Sequence, residues 1–365
     1  MRWCYARFDV EAEGRSDLLK NLKALFHDLL LQAGGDVERT LDWMREIDRR
    51  YGIYGHGVSE EEFRRWLLER GSVRPGAGAL RLGPRGEREL REESLDAIFG
   101  SLARDARGEH PVADEGAGGE RSSETRPWRF GDPLERIDAT ASLRNAVQRD
   151  PLAGDLRIEQ EDLEVFETEH RSSCATVLCL DLSHSMILYG EDRITPAKRV
   201  ALALTELVRT RYPKDWLAVV TFGDEAREVP VGDLPYVQVG PFHTNTRAAL
   251  RLARALLARR RQANRQILMV TDGKPSALTE PDGEVYKNPV GLDRRVVSKT
   301  LEEADRCRRE GLPITTFLLT EDPTLVEFVE RFTATNRGRA YYSGVGRLGD
   351  FVLVDYLTNR RRRVR

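Results

Sequence analysis

Apolar residues at Leu18, Leu22, Leu25 and Leu29, flanked by Leu19, Phe26 and Leu30, recur at the spacing of an amphipathic helix and predict one over residues 16–32, ended by Gly34-Gly35. Val37, Leu41, Met44 and Ile47 predict a second helix. Ser59 with Glu62 reads as a capping box opening a third, which carries Phe63, Trp66 and Leu67. The pattern then changes. The short apolar run before Asp181 predicts a strand buried on both faces of a parallel sheet, since it is far too short to cross a bilayer. From there strands and helices alternate. Thr195-Pro196 reads as an N-cap followed by a helix with Val200, Leu204, Leu207 and Val208 inward. Strands follow at 216–222, 266–271, 313–319 and 339–343, with helices at 247–261, 296–309 and 324–333. Such alternation predicts an α/β fold, a doubly wound, mostly parallel sheet flanked by helices and preceded by a small helical region.

Between the two patterned regions the composition shifts. Residues 1–71 form the helical region, and 72–127 read as a charged, Gly/Pro-rich linker with one helix near 85–104, flexible over 108–127. Residues 128–171 carry a helix with Leu143 and Val147 and a half-exposed strand around Leu163 and Val165. They are expected to pack on an edge of the sheet, with contact to a partner as the alternative. Residues 172–344 make the α/β domain, and 345–365 a C-terminal segment with a basic tail, Arg360 to Arg363 and Arg365.

Composition narrows the class. The 365 residues carry a net charge of −2 with 32% charged side chains, so no global field favours nucleic acid. Cys4, Cys174, Cys179 and Cys307 are scattered without a Cys-x-x-Cys pair, and two fall in the predicted buried strand, which points to reduced core thiols. The opening residues lack the apolar segment of a signal peptide, and no run of about 18 apolar residues occurs. The expectation is a cytoplasmic protein with no membrane partner.

The candidate chemistry lies at strand ends. Asp181-x-Ser183-x-Ser185 places three small oxygen groups in the loop after the first strand, where a hard cation such as Mg²⁺ is well matched. Asp272-Gly273 ends another strand in the same way. Thr244, in His243-Thr244-Asn245-Thr246, precedes a helix, and either threonine suits its N-cap; motif position favours Thr244. Taken singly, each of these is an ordinary turn or cap. His184 and His243 are read as rim residues facing solvent or partner, because Mg²⁺ prefers oxygen.

Taken together, Asp181-x-Ser183-x-Ser185, Thr244 and Asp272-Gly273 resemble the metal-ion-dependent adhesion site of von Willebrand factor type A (VWA) domains, over roughly residues 172–344. The resemblance implies an edge hairpin at 226–234 and a cation, Mg²⁺ with Mn²⁺ as second candidate. Ser183, Ser185 and Thr244 would bind it directly, and Asp181 and Asp272 at least partly through water. It leaves one position for an Asp or Glu of a protein partner, and the acidic, Gly/Pro-rich loop 276–293 would shape what the ion meets. Stretches such as Asp322-Pro323-Thr324, Asn336-Arg337-Gly338 and Leu348-Gly349-Asp350 are similar to those of a bacterial VWA group that works beside AAA+ ATPases of the MoxR and magnesium-chelatase type.

No phosphate-binding loop, His-Glu-x-x-His pair or Gly-x-Ser-x-Gly elbow is found in the sequence, and Lys274 is followed by Pro275 where a nucleotide lysine would precede a hydroxyl. The expectation is therefore a non-catalytic, metal-dependent adaptor for an AAA+ ATPase or its client. The alternatives are a magnesium-chelatase-like subunit assisting metal insertion and a nucleic-acid binder using its arginines. Arg251, Arg254, Arg259, Arg260, Arg261 and Arg265 are read first as a solvated face.

Overall fold

The N-terminal leucines fold into α1 (Arg15–Gln32), whose inner face buries Leu18, Leu22, Phe26, Leu29 and Leu30. The computed structural model describes residues 15–55, 58–76, 79–105, 125–128, 137–149, 158–166, 173–190, 192–262, 264–272, 274–288, 291–320, 322–342 and 347–359. Cys4, Gly273, most of the 108–127 stretch and the arginine tail lie outside the described residues. After α1 come α2 (Val37–Tyr51), capped by Asp36, and α3 (Glu60–Glu69), whose Ser59–Glu62 capping box forms in both directions. A two-stranded hairpin, β1 (Val73–Pro75) and β2 (Leu80–Leu82), leads into α4 (Pro84–Asp105). No described helix is long and apolar enough to cross a membrane.

Residues 110–172 form a separate compact unit. Within it, β3 (Thr125–Pro127) precedes α5 (Ala139–Arg149), and β4 (Glu164–Phe166) pairs antiparallel with β3. Asp162 organises it: its carboxylate accepts from Arg149 Nε at 3.0 Å and from the Glu159 backbone N–H at 2.8 Å. The Ser142 hydroxyl accepts from Glu164 N–H at 2.9 Å, fastening the helix to the strand. Thr125–Pro127, read from sequence as the end of a linker, is thus a strand, because β4 supplies a partner that local composition does not announce.

The main sheet follows as β5 (Cys174–Asp181), α6 (Ile194–Arg211), β6 (Trp216–Phe222), β7 (Ala226–Val229), α7 (Thr246–Ala258), β8 (Asn264–Thr271), the hairpin β9 (Ala277–Thr279) and β10 (Val285–Lys287), α8 (Arg294–Arg309), β11 (Ile314–Leu318), α9 (Pro323–Asn336), β12 (Arg339–Tyr342) and α10 (Leu348–Asn359). Its six strands lie in the order β12-β11-β8-β5-β6-β7, all parallel except β7, which runs antiparallel to β6 at one edge. Every residue of β5 is buried, as a central strand covered on both faces requires. Cys174, Cys179 and Cys307 are free, buried thiols. The chain leaves β5 toward β6 on one side and returns to β8 on the other. The crevice beyond the carboxyl ends of β5 and β8 is therefore a topological switch point, where open α/β sheets bind ligands.

Several local expectations need correction. Thr195 is not the N-cap of α6: its backbone N–H is instead accepted by Asp192 Oδ1 at 3.0 Å, and the helix begins two residues earlier than expected, at Ile194. Neither Thr244 nor Thr246 caps α7; Asn245 does, its side chain accepting from Ala248 N–H at 3.0 Å. Residues 276–293 are not simply a loop, since Pro281-Asp282-Gly283 turns the chain into the β9–β10 hairpin with Gly283 at φ 93°.

The helix expected in a charged linker, α4, packs on α6 and buries Leu90 and Ile98 in one core with the leucines of α1, α6 and α10. Arg91 Nε donates to Glu206 Oε2 at 2.9 Å, with both side chains 8% exposed. Lys198 on α6 donates to the carbonyls of Leu31 at 2.6 Å, Val237 at 3.0 Å and Pro235 at 3.3 Å, and its burial pulls its pKa down to about 8. These two buried cations tie the N-terminal helices to the helix that follows β5. The C-terminal segment also joins this core: Asp355 on α10 receives Arg339 Nε at 2.7 Å and Tyr341 Oη at 3.1 Å.

Removing one member of a buried ion pair strands the other, so Arg91→Ala is expected to cost about 3–5 kcal/mol in urea unfolding. Arg91→Met with Glu206→Leu is expected to recover most of it. A single-variant loss below about 1 kcal/mol would contradict the assignment. Burial alone would raise the Glu93 pKa, but the hydrogen bond and charge of His27, with Lys23, hold it below the ordinary value. Glu93 therefore stabilises the fold above its unfolded pKa and loses that contribution as pH falls through the folded one. Between about pH 5 and pH 3 the wild type should lose more stability than Glu93→Gln; equal slopes would refute this.

Candidate functional site

Asp181 is the last residue of β5 and fully buried. Its Oδ1 accepts from the Ser183 backbone N–H at 2.9 Å, which turns the chain sharply, and its Oδ2 accepts from Thr271 Oγ1 on β8 at 2.6 Å. The carboxylate is thereby fixed between the two central strands. The turn brings Ser183 and Ser185 together, hydroxyl to hydroxyl at 3.0 Å, with Ser183 buried and Ser185 partly so. Asp272, one residue beyond β8, accepts from the Lys274 backbone N–H at 3.4 Å, and the neighbouring Ser185 hydroxyl draws its pKa down.

Thr244 joins through the backbone. It is buried, its N–H donates to Ser276 Oγ at 3.0 Å, and its carbonyl accepts from the N–H groups of Ser276 at 2.9 Å and Ala277 at 3.1 Å. It is thus fastened to the segment that follows Asp272. The Asn245 N–H donates to the Gly223 carbonyl at 2.8 Å and the His184 N–H to the Phe242 carbonyl at 3.1 Å, which lace the loops after β5, β6 and β7 together. The structure brings Asp181, Ser183 and Ser185 into one hydrogen-bonded group, sets the Asp272 carboxylate near Asp181 and Ser185, and fastens Thr244 by main-chain bonds to Ser276, four residues beyond Asp272.

The electrostatics follow from burial. Asp181 is pushed up to about 7 because it is out of water and beside the Asp272 carboxylate, while the Thr271 and Ser183 hydrogen bonds pull the other way. Asp272 is raised for the same first reason, with Ser185, Lys274 and Arg193 opposing. Two buried carboxylates among neutral hydroxyls form an all-oxygen set that suits a hard divalent cation and offers no nitrogen or sulfur to a softer one. Among the described residues no three His, Cys, Asp or Glu side chains cluster to hold a metal by themselves, so a site here depends on its hydroxyls. His184 is exposed. His243 sits on the rim with Nδ1 3.6 Å from Asp224, whose carboxylate also accepts from the His243 N–H at 2.8 Å.

Of the arginines on α7 and just after it, Arg251, Arg259 and Arg261 are exposed, while two are engaged within the fold. Arg254 pairs with Glu303 and Glu310, and Arg260 lies over the Trp216 ring at 3.8 Å. Sequence reasoning missed Thr271, Asn245 and Ser276. Thr271 and Asn245 stand beside motif residues; the role of Thr271 emerges only once β5 and β8 are paired in register, and that of Asn245 once α7 begins at Thr246.

A six-stranded, doubly wound sheet with an antiparallel edge strand and three loops meeting at its switch point defines a domain of the von Willebrand A class, a class of protein-interaction and adhesion modules. Residues 174–357, half of the chain, match the model described as Rv0959-like protein, vWA domain, and residues 120–168 match Rv0959-like protein, third domain. The chain belongs to this Rv0959-like vWA family. It is 37% identical over 309 residues to "Uncharacterized protein Rv0959" of Mycobacterium tuberculosis (strain ATCC 25618 / H37Rv), an alignment covering 82% of this chain and 45% of the relative. The chain thus spans less than half the length of the curated relatives it matches. Among solved structures it is similar to the PilB minor pilin from Streptococcus sanguinis, with a TM-score of 0.41, 14% identity and coverage of 57% of this chain and 66% of that one. The SpRpn10 VWA domain gives a TM-score of 0.36 at 16% identity, covering 49% and 93%. The family match takes in α10, so it runs past the boundary at 344 expected from sequence.

Burying Asp181 as an anion beside Asp272 costs free energy, whereas an amide there keeps an acceptor for Ser183 N–H and offers a donor to Thr271 Oγ1. Asp181→Asn in EDTA is therefore expected to unfold at the same or higher urea concentration than the wild type. A loss of more than about 2 kcal/mol would show that this carboxylate is held by its partners more strongly than burial opposes it.

Proposed function

We propose that the chain is a Mg²⁺-dependent protein-binding adaptor that engages an acidic side chain of its partner, and that it works with a MoxR-type AAA+ ATPase or that enzyme's client. The observation that carries the reading is the Ser183–Ser185 hydroxyl pair at 3.0 Å, set against the buried Asp181 and Asp272. Ser183, Ser185 and Thr244 would hold the ion, with Asp181 and Asp272 behind them. Mn²⁺ fits the same oxygen set.

A bound divalent cation supplies a positive seat that accepts one further carboxylate oxygen. The residues of the chain do the rest. Asp181, pinned by Thr271, keeps the Ser183 turn closed, and the Ser183 hydroxyl holds that of Ser185 with Asp272 nearby. The hydroxyl ligands carry no charge, so the carboxylates' negative charge is held back from the partner. We read the domain as a binding module and not as an enzyme. The ATPase assignment rests on the sequence resemblance of the C-terminal half. The engagement of Arg254 and Arg260 within the fold leaves less of the α7 arginine face for nucleic acid.

Affinity capture from native lysate on the immobilised full chain tests the reading. An AAA+ ATPase is expected on the wild type with Mg²⁺, and not with EDTA or on Asp181→Ala. Equal recovery in all three arms would contradict it.

A further inference from the structure

Beside the oxygen cluster lies a cavity of about 470 Å³, within the range of pockets that admit a small ligand or a few peptide side chains. It shares residues with both ion loops: Leu182, between Asp181 and Ser183, lines it, and so does Phe242, whose carbonyl accepts from the His184 N–H at 3.1 Å. Phe222 and Val285 complete an apolar floor. Phe242 is 39% exposed yet firmly seated, because a Cβ at either Gly223 or Gly240 would overlap its side chain. Two glycines thus admit an aromatic ring that stays half in water beside the site. Ile187, in the turn after Ser185, is also 43% exposed.

The charged groups at the mouth cancel. Lys287 Nζ meets Asp224 Oδ2 at 2.6 Å, and the remaining pair lining the wall, Glu225 and Arg227, are of opposite sign. An apolar floor under a neutralised rim fits an uncharged, apolar side chain and gives a charged one no net attraction.

We propose that this cavity is the second half of the partner site and takes an aliphatic side chain, Leu in size, lying within two residues of the acidic residue that reaches the ion. The partner segment is thus an extended peptide pairing an apolar residue with an Asp or Glu. This rests on the adaptor reading above, and the experiment separates the two.

The full chain, labelled with 4-fluorophenylalanine, is titrated in Mg²⁺ with the capped tetrapeptides Ac-Ala-Leu-Asp-Ala-NH₂, Ac-Ala-Asp-Leu-Ala-NH₂ and Ac-Ala-Ser-Asp-Ala-NH₂, following the ¹⁹F resonance that disappears in Phe242→Leu. A Leu peptide is expected to bind about tenfold tighter than the Ser peptide and to move the Phe242 resonance. In Phe242→Ala, followed by peptide-observed NMR, the preference should drop below about twofold while Mg²⁺-dependent binding of the Ser peptide persists. Equal binding of the Leu and Ser peptides in Mg²⁺ overturns the cavity proposal and leaves the ion reading standing. Leu-peptide binding that moves Phe242 equally in EDTA supports the cavity and overturns the ion reading. No binding of any peptide overturns the cavity proposal.

Discussion

The Thr271 hydroxyl on the Asp181 carboxylate, 2.6 Å across the β5–β8 pair, is the contact around which the rim of this domain is arranged. It sits where the sheet reverses direction, so the loops leaving the two strands diverge and open a crevice between them. Asp181 spends its other oxygen on closing the turn that sets Ser183 against Ser185. One carboxylate therefore does two jobs, bridging strands and shaping the loop. A buried anion held in this way is costly unless something positive or a proton compensates it, and Asp272 next to it sharpens the conflict. A site assembled against the preference of its own burial is the physical reason to read this rim as functional.

The remainder of the fold steadies that rim. The helix after β5, α6, holds one end of both buried cation contacts to the N-terminal part of the chain, its Glu206 receiving Arg91 of α4 and its Lys198 reaching out to Leu31. The N-terminal helices are thus an extension of the core behind the site, joined with α6 and α10 in one continuous apolar cluster. The unit over residues 110–172 is held by its own network around Asp162.

Much of this was legible in the sequence wherever burial leaves a periodic trace. The apolar run ending at Asp181 gave away a two-sided strand, and the motif residues sit at the strand ends where the α/β alternation puts them. Part of what stayed hidden depends on partners distant in sequence, and part on competing local signals. α4 looks like a charged linker helix because Arg91, which it buries, is neutralised by Glu206 115 residues away. The Asn245 cap was masked by two threonines of equal local merit. The Pro281-Asp282-Gly283 turn carried a readable hairpin signal, which the Gly, Pro and acid content of its surroundings obscured. α10 joins the core through its apolar face and Asp355, and the two aspartates of this apolar helix do not reveal which of them will meet an arginine.

The central claim is that oxygen groups from three loops surround one cation, and diffraction from crystals of the full chain soaked in Mn²⁺, collected at the manganese absorption edge, tests it most directly. One anomalous peak is expected among the Ser183, Ser185 and Thr244 hydroxyls, with Asp181 and Asp272 behind it. A map with no peak there, or with the peak on side chains elsewhere in the chain, would contradict it.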